Sequence, residues 1–496
     1  MRAPRIALAI LALTVFLSPF QRELYVGDET KYSEVVREMR DGAFFLPTLE
    51  GSPFTHKPPL HFWIVDLLTY PFGVYSIWPF VLPSLIAFVL LLWLLHRIEG
   101  PMAAFAGGTS LMIWGSAQTA RMDLSFTALL VVAAWMLQRF FDGERTLGWV
   151  GLATGLASII KGPMAPVIIG CLFAFEALRR RGVPRGNYAL ALGGMIVIPL
   201  LWLVPAVLIG GEAFWREIFF KQTVGRAVGS WVHRSPPWFY IVRAPLTLLP
   251  WFFLLVVAIV AAFKRGDERA KFYVSWILAV LVPYSLLSSK LDVYMMAMIP
   301  AVALLIARLL AAEDRFSRWG YGANGVMATL FLAIGIAGML IQRPEIQDPM
   351  ARALFAILGI AALVAIVITV RARLVASTIA VGFIAVAALA YAAVALVPMA
   401  NELASTRPLV RALLRQRDVP PEEIALYVTP HVWVRGMPDS LSRVRYVDVE
   451  ELHAIPPPRM IVARRKDSDK IRDVLRGYRR VDELQMIGKW FDVYRR

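Results

Sequence analysis

The sequence predicts a polytopic α-helical membrane protein of about 13 transmembrane helices, followed by a small C-terminal α/β domain outside the bilayer. Three observations carry this. First, 58% of the 496 residues are hydrophobic and only 18% charged, with a mean hydropathy of +0.60, which excludes an ordinary soluble enzyme. Second, nearly charge-free runs recur, several of them reaching the roughly 20 residues that span hydrocarbon. Third, from about Asn401 the composition turns polar and mixed.

Hydropathy and length place the spans at 5–20, 76–95, 101–117, 124–141, 147–160, 163–178, 187–209, 241–263, 271–288, 293–311, 320–341, 350–370 and 374–397. The first is read as an uncleaved span, since no small-x-small cleavage pattern precedes Gln21. With Arg2 and Arg5 inside, one set of loops collects His96 and Arg97, Arg139 and Arg145, Arg179 to Arg181 with Arg185, Lys264 and Arg265 with Arg269 and Lys271, Arg315 and Arg318, and Arg371 and Arg373. This is a positive-inside pattern. It also disposes of nucleic acid as a partner, because the net charge of +16 is spread over short loops instead of one basic domain. The single cysteine, Cys171, lies in an apolar run and forms no intrachain disulfide.

The opposite face receives residues 21–75, the turn Arg121-Met122-Asp123, the turn Lys161-Gly162-Pro163, a second large loop at 210–240, and the stretch Ser288 to Asp292. Acids, bases and histidines stand there at short spacing, so a site assembled from several loops at one membrane face is the economical reading. The competing reading for each base is snorkelling at the interface. After the last span, β-type runs at 424–428, 444–449 and 460–462, a helical stretch at 468–476 and a closing strand near 490–494 predict a small α/β domain on that same face.

In the first loop, Asp28 and Glu29 open an amphipathic helix to Arg40 that lies in the interface, with Tyr32, Val35, Val36 and Met39 on one side. Asp28 suits an N-cap, and the same carboxylate suits a general base acting on a hydroxyl at the water–lipid boundary. His56-Lys57-Pro58-Pro59 follows, a rigid basic turn that aims Lys57 and leads into the amphipathic run 60–70.

These residues resemble a known family. Asp28 and Glu29 before a helix with Arg37, Glu38 and Met39, then Gly51, Pro53, Phe54, Lys57, Pro58, Pro59, Leu60 and Trp63, look like the first periplasmic loop of the aminoarabinose transferase and protein mannosyltransferase superfamily, GT-C type glycosyltransferases that use polyprenyl-phosphate sugars. The likeness continues through Arg121 and Asp123, the Lys161-Gly162-Pro163 turn, His233 with Pro236, Pro237 and Tyr240, Pro250-Trp251, and Ser289-Lys290-Leu291 with Tyr294 and Pro300. It covers roughly residues 5–310, within a transmembrane domain of residues 1–400 that precedes a domain of 401–496. Where many members carry Glu-Lys-Pro-Pro, this chain has His56. In the aminoarabinose branch that Glu, with a later loop histidine, resembles a metal-binding pair. If a metal were held here, His56 and His233 would be its ligands, but the expectation is that no cofactor is required.

The resemblance implies an inverting transfer of a sugar from a polyprenyl phosphate, such as undecaprenyl phosphate, to lipid A, another envelope glycan or a protein, on the periplasmic face of a bacterial inner membrane. Asp28 is then the catalytic base. The lipid phosphate gains a second negative charge as it leaves, and cations must meet it. Lys57, Arg121, Lys161, Arg226, Arg234 and Lys290 stand on the correct face, with Lys290 and Lys57 preferred. Glu29, His56, Asp123, His233 and Tyr294 complete the expected substrate contacts, although Asp123 can equally cap its helix and Glu29 support the loop. Aromatic residues of the 210–240 loop suit an interfacial belt or a groove for the lipid tail. A polyprenyl-lipid transporter or flippase is the competing class. It should carry charges or broken spans near the midplane and paired halves, whereas the suspicious charges here cluster at one face. A sensor anchored for its C-terminal domain leaves the first loop unexplained.

Overall fold

The structure is a computed structural model that describes residues 2–40, 42–220, 234–341, 348–371, 373–416, 418–427, 441 and 443–496. The helices in chain order are α1 Arg2–Leu17, α2 Asp28–Arg40, α3 Leu60–Phe72, α4 Trp78–Glu99, α5 Pro101–Gly108, α6 Leu111–Ala117, α7 Asp123–Phe141, α8 Leu147–Lys161, α9 Met164–Arg180 and α10 Tyr188–Arg216. They continue with α11 Phe239–Thr247, α12 Phe252–Lys264, α13 Glu268–Leu286, α14 Ile299–Leu310, α15 Arg315–Leu340, α16 Pro349–Arg371, α17 Leu374–Tyr391, α18 Val397–Ala404, α19 Arg407–Arg415 and α20 Val449–Ala454.

Every expected span is helical, and two are broken. Residues 101–117 divide into α5 and α6 around Thr109 and Ser110. Residues 241–263 divide into α11 and α12, which meet at a bend of 111°. Pro245 and Pro250 deprive this stretch of two backbone N–H donors, so a straight helix through it would lose its hydrogen bonds. Among the described residues, eight helices are long and apolar enough to cross a membrane, nine with the bent pair. The chain is a multi-pass membrane protein.

Contacts divide the chain into two compact units. One comprises Met1–Leu17, Pro53–His61 and Pro83–Val394; the other comprises Ser18–Ser52, Phe62–Leu82 and Ala395–Arg496. Most of the first loop thus belongs with the C-terminal part, a grouping that is absent from the sequence pattern.

The first unit is a helix bundle. Where α8 meets α10 the backbones touch: a Cβ on Gly155 would stand 2.3 Å from the Gly194 carbonyl oxygen, and one on Gly151 would stand 2.4 Å from that of Ala191. Small residues permit this approach, and packing at close range is what holds helices together in lipid. Asn324 on α15, 2% exposed, donates to Ser377 and Thr378 of α17 at 3.0 Å each. Around it Met327, Phe331, Leu358, Val381 and Ile384 pack α15, α16 and α17 together. At the opposite end from the loops of interest, buried Glu176 binds Arg179 and Arg180, which reach Glu268 of α13 and Asp142 after α7. The basic residues expected inside therefore also tie helix ends together.

In the second unit, β1 Thr48–Leu49 and β2 Ser52–Pro53 form a small hairpin after α2. Five further strands, β3 Ile424–Tyr427, β4 Arg445–Tyr446, β5 Met460–Arg464, β6 Arg479–Met486 and β7 Lys489–Arg495, form one sheet in the order β4-β3-β5-β7-β6. Strands β4, β3 and β5 are parallel, and β7 runs antiparallel to both β5 and β6. Alternation sets its two faces: Ile424, Leu426, Met460, Val462, Phe491 and Val493 pack under α19, while Ala425, Tyr427, Ile461 and Ala463 pack with Leu452 of α20 and Ile471. The helix expected at 468–476 is a 3-10 turn, Arg465–Ile471, and further turns.

Candidate functional site

In the helix bundle the site grows from the start of α7. Asp123 is the first residue of that helix, and Met122, not Asp123, occupies the capping position. The carboxylate, 5% exposed, goes to two cations: Arg121 Nε lies 3.0 Å from Oδ2, and Lys161 Nζ contacts Oδ1. Asp123 therefore does not cap its helix but pairs with Arg121 and Lys161. The turn that presents Arg121 is fastened by buried Ser84 of α4, whose hydroxyl lies 2.8 Å from the Thr119 carbonyl and 2.9 Å from that of Arg121.

Lys161 ends α8. Gly162 follows at φ +90°, a conformation glycine adopts without strain, and Pro163 precedes α9. The Lys-Gly-Pro turn thus delivers an ammonium group between two helix ends. That group lies 5.1 Å from the Tyr294 ring centroid and 5.3 Å from that of Phe126, attracted by both faces. Tyr294 in turn stacks on Tyr284 at 4.8 Å. Lys57, half-buried, is near enough for its charge to act on Asp123. Of the expected residues, Lys57, Arg121, Asp123, Lys161 and Tyr294 therefore come together.

His61, which the sequence reading passed over, joins them. It is 2% exposed, and burial pushes its pKa down to about 4 even though the Asp123 charge pulls the other way. It is a neutral imidazole at the edge of a charged cluster. Its one sequence signal is its place in the first turn of α3, directly after Lys57-Pro58-Pro59-Leu60.

Other expectations are placed differently. Lys290, a preferred phosphate contact, is 3% exposed, and its ammonium donates to the carbonyls of Ser235, at 3.0 Å, and Leu287. With the Arg234–Ser289 bridge it fastens the end of the 210–240 loop to the end of α13, and burial lowers its pKa. His56 is exposed, its ring edge-on to Phe54 at 5.2 Å. Arg226 and His233 lie outside the described residues. Among those described, no group of three His, Cys, Asp or Glu side chains is placed to hold a metal ion.

In the other unit, Asp28 is the first residue of α2 and lies 3.6 Å from Lys31 Nζ. The capping position falls on Gly27, whose carbonyl accepts the Lys31 amide at 3.1 Å. Glu29, expected among the substrate contacts, turns inward: it is 4% exposed, takes Arg22 Nη2 at 2.5 Å and accepts the Tyr25 amide at 2.7 Å. Arg22 also lies over the Tyr25 ring at 4.1 Å.

The sequence of residues 56–203, which holds Lys57, His61, Arg121, Asp123 and Lys161, matches the family model described as dolichyl-phosphate-mannose-protein mannosyltransferase. An undecaprenyl phosphate-alpha-4-amino-4-deoxy-L-arabinose arabinosyl transferase of Proteus mirabilis is 27% identical over 365 residues, 68% of this chain and 65% of that relative. A protein of the same description from Pseudomonas aeruginosa is 28% identical over 369 residues, covering 69% of this chain and 67% of its own length. The match thus spans about two thirds of these relatives. The crystal structure of ArnT from Cupriavidus metallidurans bound to undecaprenyl phosphate superposes with a TM-score of 0.74, covering 99% of this chain and 97% of that one at 18% identity. The chain thus resembles the GT-C aminoarabinose transferase and protein mannosyltransferase superfamily in sequence and has the fold of ArnT. The apo structure of ArnT gives the same fold likeness, with a TM-score of 0.73. In this protein the described cluster sets three cations, Lys57, Arg121 and Lys161, around one carboxylate, an excess of positive charge that suits a phosphate.

Proposed function

We propose that the protein transfers a sugar from a polyprenyl phosphate to a lipid A-like or other envelope acceptor at the periplasmic face of a bacterial inner membrane. The observation that carries this reading is the cation cluster around Asp123. A leaving phosphate gains a second negative charge, and Lys57, Arg121 and Lys161 would neutralise it, with Asp123 fixing the directions of Arg121 and Lys161. Tyr294, stacked on Tyr284, presents its ring face to the Lys161 ammonium. The undecaprenyl-phosphate relatives and the lipid-bound ArnT support the donor class.

In the proposed step Asp28 takes the proton of the acceptor hydroxyl. The hydroxyl oxygen forms a bond to the anomeric carbon as the carbon–oxygen bond to phosphate breaks, and the electron pair departs on the phosphate oxygen. One displacement inverts the anomeric centre. By the loop pattern of the sequence both segments belong to one membrane face. The test is transfer in liposomes from a panel of radiolabelled polyprenyl-phosphate sugars to lipid A and envelope glycans. Product from the wild type and none from a folded Asp28→Asn protein is expected. Full activity of Asp28→Asn overturns the base, and no consumption of any donor by the wild type overturns the transferase.

A further inference from the structure

The segment that leads into Asp28 is held by residues nearly four hundred positions later. Asn401, fully buried at the end of the last long helix, accepts the Glu23 amide at 3.0 Å and donates to the Gln21 carbonyl at 2.6 Å. Three residues on, the Ala404 carbonyl accepts the Val26 amide at 2.8 Å, and Tyr25 forms an antiparallel bridge with Ser405. The Ser405 hydroxyl donates to one oxygen of Glu23 at 2.7 Å, and Arg407 Nε to the other at 2.8 Å. Val26 then packs against the core of the C-terminal sheet.

The Gln21 carbonyl, the Glu23 amide and carboxylate, and the Val26 amide are thus all matched by the start of the C-terminal domain. From the other direction Glu29 returns to Arg22 and to the Tyr25 amide. Asp28 therefore stands between two fixed points, Val26 and Glu29, with Gly27 at φ +121° making the turn between them.

We propose that Asn401, with Ser405, is a positioning element for Asp28, so that the C-terminal domain sets the attitude of the catalytic loop. This rests on Asp28 being the base. Neither residue touches substrate in this proposal. Displacing a base by an ångström or so lowers turnover while leaving donor binding intact, because the donor phosphate is held by other groups. A merely structural role predicts less folded protein with unchanged turnover per folded molecule.

The experiment compares the full-length wild type, Asn401→Ala, Ser405→Ala and Asp28→Asn in liposomes, each normalised to folded protein. Ile471→Ala, which weakens the core on the face of the C-terminal sheet away from Val26, is the control. Asn401→Ala should lower kcat at least tenfold with the donor KM within about twofold, as expected for small displacements at a reacting centre. Ser405→Ala, which keeps the backbone bridge, should fold and show a smaller loss of the same kind, while Ile471→Ala keeps its turnover per folded molecule. If Asp28→Asn is inactive while both Asn401→Ala and Ser405→Ala retain wild-type kcat, the positioning proposal is overturned and the base stands. A kcat loss of equal size in Ile471→Ala also overturns it, since that reports general weakening. If Asp28→Asn is fully active, the base reading has failed instead, and the loop has no reacting group to position.

Discussion

Replacing Lys161 with Met tests whether its ammonium balances Asp123 and meets the phosphate. The exposures are 9% for the Lys161 side chain, 5% for Asp123 and 33% for Arg121. Removing one partner of a buried ion pair costs about 3–5 kcal/mol when nothing else compensates the charge left behind. Here Arg121 remains at 3.0 Å, and a charge-assisted hydrogen bond offsets about 1.5–3 kcal/mol. Methionine also keeps an apolar chain of similar length against Phe126 and Tyr294. The expected loss is therefore about 2 kcal/mol, the difference of those two ranges.

Adding Asp123→Asn removes the orphaned charge, so the double variant should recover most of that stability while transfer stays about a hundredfold low, the usual consequence of losing one group that stabilises transition-state charge. Thermal unfolding in detergent and initial transfer rates on the same samples read both quantities. A Lys161→Met protein as stable as the wild type, or a double variant no more stable than the single, refutes the charge balance. Activity that returns with stability refutes the phosphate contact.

Four other outcomes follow from the same geometry. Lys57→Ala should raise the donor KM about tenfold, since it removes a cation and leaves the Asp123 ion pairs in place; direct binding of a polyprenyl phosphate checks this. An unfolded histidine titrates near 6.5, whereas buried His61 takes a proton only near pH 4. The unfolded chain binds more protons between those values, so stability falls as pH drops from about 6.5 to about 4, by at most about 3 kcal/mol, and His61→Phe should flatten that part of a stability-against-pH curve. Asn324→Leu should cost about 1 kcal/mol, in keeping with hydrogen bonds inside membranes, and leave transfer rates unchanged. Gly27→Ala meets no atom within 4 Å, so any loss of activity would come from the positive φ alone, at a cost of about 1 kcal/mol or more.

The helices were legible because lipid demands long apolar runs, and each such run can be seen locally. The break at Pro250 was not, since apart from Arg243 the run 241–263 is uncharged straight through the bend. Strand β6 escaped notice because Arg479, Arg480, Asp482 and Glu483 give it no apolar alternation until Leu484, as suits the edge of a sheet. In the site, Lys57, Arg121, Asp123 and Lys161 stood out as charges in short turns between apolar spans. Lys290 looked equivalent to them, and only the carbonyls of Ser235 and Leu287 show where its ammonium is committed. The burial of His61 depends on neighbours distant in sequence, so its spacing carried no warning. The bonds from Asn401 and Ala404 to residues 21–26 are largely to backbone atoms, which every residue possesses.

Those bonds impose an order on manufacture. A ribosome releases Glu23 hundreds of residues before Asn401, and domains settle from the N-terminus as they emerge. The first loop must therefore wait, without its partners, while the intervening spans are threaded into the bilayer. Only after residue 405 has reached the same side of the membrane can the strand at Tyr25 close. A chain interrupted before that point would carry its helices and its basic turns, yet hold the loop bearing Asp28 without these restraints. The later-made portion thus acts as a check that synthesis has run far enough for the earlier loop to be set.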